Sequence, residues 1–94
     1  MSIAHVSLRP TEKPTPKHPD YRGSGTWGPK LETHWVALWV NTDGYRVSFS
    51  DESREGWSVQ LDADGVGLTR AYEGIWTVFF DAEHEHLTLE REAA

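Results

Sequence analysis

From residue 33 to residue 91 apolar and polar side chains alternate with a period of two, and the alternation is broken at Asp43-Gly44, Asp64-Gly65 and Glu73-Gly74. Successive side chains of a strand point to opposite faces, and an acidic residue followed by glycine suits a tight hairpin turn. The pattern predicts strands at about 33–42, 45–50, 57–62, 66–72, 75–80 and 86–91. No stretch carries an apolar stripe at helical spacing. Short strands at even spacing, joined by tight turns, predict an all-β fold: a small antiparallel meander of five or six strands forming a compact barrel or a two-sheet sandwich.

The composition changes near residue 30. Pro10, Pro14, Pro16 and Pro19 fall within ten residues, a density that removes too many backbone donors for a helix or an inner strand. Residues 1–30 therefore read as a basic Pro/Gly-rich arm, with a possible short strand at 3–9, and residues 31–94 as a single all-β domain. Charge divides the same way. The first thirty residues carry five Lys or Arg against two acids, whereas the rest carries four Arg against thirteen acids. The net charge of −6 thus hides a basic arm on an acidic body. Such a body repels duplex DNA or RNA, because nucleic-acid affinity comes mainly from cations that displace counterions, so direct duplex binding is not expected. The chain has no cysteine, hence no disulfide framework and no thiolate chemistry, and this suits a reducing, cytoplasmic compartment. Its longest apolar run, Trp35 to Val40, spans six residues, far below the roughly 20 of a membrane helix.

Turn geometry sets register. Two-residue turns at Asp64-Gly65 and Glu73-Gly74 pair Leu61 with Leu68 and Leu68 with Phe79, and group Trp57, Val59, Leu61, Val66, Leu68, Tyr72, Ile75 and Phe79 on one face, the expected core. The reverse face carries Gly67, Thr69, Ala71, Trp76, Val78 and Phe80. The segment 33–42 is apolar on both faces, with Trp35, Ala37 and Trp39 on one and Val36, Leu38 and Val40 on the other. A two-residue turn at Asp43-Gly44 sets Val40 and Leu38 against Val47 and Phe49, and leaves both tryptophans beside Arg46, Ser48 and Ser50. A three-residue loop ending in a Gly44 bulge puts the tryptophans against Val47 and Phe49 instead.

Few residues nominate chemistry. His84-Glu85-His86 with Glu90 downstream, and His34 as a distant third donor, has the spacing of a strand-borne metal site, but it reads better as a solvated polar turn. Asp62-Ala63-Asp64-Gly65 matches only a fragment of a calcium loop and reads as a hairpin turn. No nucleophile elbow, phosphate loop or HExxH is present, so neither catalysis, a metal nor a cofactor is expected. Trp35, Trp39, Arg46, Arg70 and Trp76 are the candidate partner-binding residues, since Trp and Arg dominate interface hot spots. The expectation is a non-catalytic cytosolic binding protein that engages another macromolecule, such as a basic protein surface, as an inhibitor or accessory factor, with a homodimer also compatible. The alternatives are a small barrel for an apolar or anionic ligand, a His-based metal-dependent enzyme, and a single-stranded nucleic-acid platform formed by the arm and stacked aromatics.

Overall fold

The computed structural model describes residues 3–12, 18–28, 30–53, 56–71 and 74–91. Alternation becomes structure in eight strands: β1 (Ile3–Pro10), β2 (Tyr21–Trp27), β3 (Glu32–Asn41), β4 (Gly44–Asp51), β5 (Gly56–Leu61), β6 (Val66–Ala71), β7 (Gly74–Asp81) and β8 (His86–Arg91). All neighbours are antiparallel in one sheet of order β5-β4-β3-β2-β1-β8-β7-β6. The chain is therefore a meander whose first and last strands pair, Val6 opposite Leu87. The two ends of the sheet, β5 and β6, lie against each other, with Gly67 packed on the Gln60 carbonyl, so the sheet is a nearly closed, barrel-like layer.

Two strands exceed the expected five or six, and both come from the segment read as an arm. β1 occupies the possible strand at 3–9, whereas β2 was not expected, because Tyr21-Arg-Gly-Ser-Gly-Thr-Trp resembles a turn. Its glycines sit at inward positions where neighbours fill the missing side chains. A Cβ at Gly23 would lie 2.6 Å from the Ser7 carbonyl oxygen, and one at Gly25 only 3.1 Å from the Trp27 ring. Glycine in this strand lets β1 and a large indole close in. The sheet runs without a break across the change of composition near residue 30. The prolines at 14 and 16 lie outside the described residues.

Inward side chains from every strand fill the barrel. Val6, Leu38, Val47, Leu61, Val78 and Leu87 are fully buried at its centre. At one end Phe80 packs edge-on to Tyr45 with ring centres 5.0 Å apart. At the other, Trp27 stacks on His34 at 4.1 Å and meets Phe49 edge-on at 5.9 Å, so an aromatic layer stops that end. Eight strands enclose just enough room for side chains or one small ligand. Here side chains take it, and the void beside Trp27, Phe49, Trp57 and Trp76 is only about 10 Å³.

The expected core face is inverted along β6 and β7. Val66, Leu68, Ile75 and Phe79 point outward and are exposed, while Trp76, Val78 and Phe80 point in. The pairing along β6 and β7 keeps the expected grouping of faces, but Phe79 opposes Val66 and not Leu68, with residues 72–73 between Ala71 and Gly74. The inversion arises one turn earlier. Residues 62–65 form a corner closed by Asp62: its N–H donates to the Val66 carbonyl at 3.0 Å, and its carboxylate accepts the N–H groups of Asp64 and Val66 at 2.9 and 3.0 Å. β5 does not continue into β6 as a two-residue hairpin, so the face inherited from Trp57, Val59 and Leu61 does not carry over. A shift of one residue sends a whole strand's side chains to the other face.

β3 and β4 follow the first of the two expected arrangements in their faces, with Thr42-Asp43 between the paired Asn41 and Gly44. Leu38 opposes Val47 and Val36 opposes Phe49 inside. Trp35 and Trp39 consequently face out.

Candidate functional site

Register places the outward residues of β1–β5 in rows. Arg9 opposes Arg22, Arg22 opposes Ala37, Ala37 opposes Ser48 and Ser48 opposes Ser58. Beside that row runs Ser24, Trp35, Ser50 and Gly56, and on the other side Trp39, Arg46 and Gln60. This face carries Arg9, Arg22 and Arg46 and, among the described residues, no Asp or Glu. Asp20, just before β2, turns its carboxylate to the Val40 N–H at 2.8 Å. Asp43, Asp62, Asp64, Asp81 and Glu83 lie in or beside the β3–β4, β5–β6 and β7–β8 turns, and Glu32 and Asp51 lie on the inward side of β3 and β4.

Arg9 and Arg22 are both exposed and directly opposite, and neither has a carboxylate partner among the described residues. Like charges in this relation destabilise a sheet, so folding alone gives no reason for the pair. Trp35 is 51% exposed, and both its cross-strand neighbours are serine. An open groove of about 590 Å³ runs between it and Arg9, bordered by His5, Ser7, Arg22 and Ser24. On the far side of the indole a second groove of about 210 Å³ is floored by Ala37, Ser48 and Ser50. The Arg46 guanidinium lies 4.8 Å above the Trp39 ring, a cation–π contact that holds the ring and the charge together.

Three of the five candidate residues thus meet on one face: Trp35, Trp39 and Arg46. Arg70 is exposed on β6, opposite Ile75 and beside Leu68, in a separate apolar outer patch that includes Val66 and Phe79. Trp76 is 3% exposed and faces the interior, its Nε1–H donating to the Ala71 carbonyl at 3.2 Å, so as placed it offers no surface to a partner. Arg9 and Arg22 escaped notice in the sequence because they lie in the segment read as an arm. Recognising that β1 and β2 share a sheet with β3 is what brings them beside the tryptophans.

The histidines do not converge. His84 Nδ1 meets the Asp81 carboxylate at 2.7 Å in the β7–β8 turn, whereas His86 turns to His5 across β1, ring nitrogens 3.1 Å apart. His34 is buried in the aromatic stop, its Nδ1–H donating to the Glu32 carbonyl at 2.9 Å. Asp51, also buried and not singled out in the sequence, opposes it on β4 and accepts the N–H and hydroxyl of Ser53 at 2.9 and 2.6 Å. Asp81, Glu83 and His84 bring donor atoms within 4.8 Å of one another on an exposed turn. At the aromatic end, Trp27, Trp76, Ile3, Leu31 and Arg91 border a mouth of about 270 Å³. No family model matches this chain, and no curated protein or solved structure is significantly similar to it.

Proposed function

We propose that the chain is a non-catalytic binding protein that engages an anionic macromolecule through the outward face of β1–β5. The observation that carries this reading is the Arg9–Arg22 pair, two exposed arginines directly opposite on neighbouring strands with no carboxylate partner among the described residues, on a strand face that carries no Asp or Glu among those residues, in a chain of net charge −6. An acidic partner would relieve the repulsion between them, and Trp35 and Trp39 beside them supply apolar area of the kind that concentrates binding energy. The sign of the partner differs from the sequence expectation of a basic surface, because the outward tryptophans of β3 share their face with arginines. The filled interior weighs against the small-ligand alternative, and the separation of His84 from His86 against a histidine metal enzyme. A cysteine-free chain suits an accessory role in the cytoplasm. Retention on immobilised heparin tests the reading: the wild-type chain should be held at low salt, and Arg22→Glu should abolish retention without lowering the melting temperature, since a Glu opposite Arg9 replaces a repulsion with an attraction. A wild-type chain that passes straight through at low salt refutes it.

A further inference from the structure

The geometry points to one class of anion, and we infer that this face is a platform for single-stranded nucleic acid, with an unpaired base stacked on Trp35 and the adjoining phosphates on Arg9 and Arg22. The inference rests on the reading of the face as the seat of an anionic partner and names that partner.

Stacking needs a bare aromatic face, and Trp35 provides it. Trp27 is stacked on His34, Trp39 lies under Arg46 and Trp76 is buried, while no ring or cation covers Trp35 among the described residues. Serines on both neighbouring strands leave the indole standing between two grooves, and Arg22 borders both of them. Base–aromatic stacking beside a cationic groove is the general means of holding single strands without sequence preference. The hydroxyls of Ser7 and Ser24 in the groove add donors suited to phosphate oxygens.

Other polyanions fit less well. An acidic peptide would satisfy the arginines and leave the indole unused. A duplex keeps its base faces in its own stack, and its bulk brings further phosphates toward the acidic turns. A single strand uses both features, the bare ring and the paired guanidiniums.

Titration of the full chain with labelled oligothymidylate, the matching duplex and polyglutamate tests this, on wild type, Trp35→Ala, Trp35→Phe and Arg22→Glu. Oligothymidylate should bind more tightly than the duplex or polyglutamate. Trp35→Ala should weaken it about 5- to 150-fold, the loss of one stacked base, and Trp35→Phe should recover most of that. Melting curves of the Trp35 variants should match wild type, because the ring is half exposed. The plot of log affinity against log salt should have a slope of about −1.4 for two phosphate contacts, shallower in Arg22→Glu. Equal affinity for the duplex, or a Trp35→Ala variant within about twofold of wild type, overturns the inference. Polyglutamate bound in an Arg22-dependent way without oligothymidylate also overturns it, yet leaves the anionic-partner reading standing. Binding of no anion at all removes both.

Discussion

Phe79 and Phe80 are chemically identical neighbours on β7, yet the inversion of β6 and β7 puts them in opposite environments: 41% exposed and 2% exposed. Phe80 lies inside, edge-on to Tyr45 at 5.0 Å and tilted against Tyr21 at 5.5 Å. Truncating it to Ala removes a buried ring, both aromatic contacts and the atoms that fill that end of the barrel, at a cost of about 3–5 kcal/mol. Phe79 faces solvent between Val66 and Thr88. Roughly three-fifths of its surface is covered, and solvent fills the space it vacates, so its truncation costs about 1–2 kcal/mol. With a urea slope of about 1.5 kcal/mol per molar for a chain this size, the unfolding midpoint should fall by about 2–3 M in Phe80→Ala and about 1 M in Phe79→Ala. Urea titration followed by tryptophan fluorescence reads both. Equal losses, or the larger loss in Phe79→Ala, would refute the facing assigned to β7 and restore the core expected from turn geometry.

Gly44 has φ of +142°, and a Cβ there would press on the Leu61 carbonyl oxygen and lie 2.5 Å from the Asp62 carbonyl carbon. Gly44→Ala should therefore cost about 2–5 kcal/mol by backbone strain and overpacking together; a loss below about 1 kcal/mol in the same urea assay contradicts this contact. At the β7–β8 turn, the hydrogen bond from the His84 ring outweighs desolvation and, with the His84 N–H, the charge of His84 and the Glu83 N–H, holds the Asp81 carboxyl below its usual 3.8. A depressed carboxylate stabilises above its unfolded value and loses that contribution as pH falls through the folded one. The stability gap between wild type and Asp81→Asn should accordingly be present above the usual carboxylate value of 3.8 and close as pH falls below it; a gap that widens on acidification through that range refutes the pairing.

Six of the eight strands, and β1 as a possible seventh at 3–9, were legible in the sequence, because half-buried strands must alternate and acidic-glycine turns punctuate them. β2 was not legible for a physical reason: Gly23 and Gly25 occupy its inward positions, and their missing side chains are replaced in space by β1 and Trp27, which no local pattern records. The facing of β6 and β7 was lost at a single corner, where the Asp62 carboxylate captures two backbone N–H groups and resets the parity that a two-residue turn would have carried through. The outward placement of Trp35 and Trp39 was one of two readings the sequence left open, and the pairing of Asn41 with Gly44 decides it. The arginines that define the face depend on β1, β2 and β3 being neighbours, a property of topology that composition concealed behind a basic arm and an acidic body.

Mapping backbone amide shifts by heteronuclear NMR during titration with oligothymidylate or heparin tests the central claim most directly, because it locates the contact without disturbing the fold. The expected result is a set of perturbations concentrated on Arg9, Arg22, Ser24, Trp35 and Ser48, the outward residues of adjacent strands. Perturbations centred on Leu68 and Phe79, or on Trp27 and Trp76 at the barrel mouth, would contradict it.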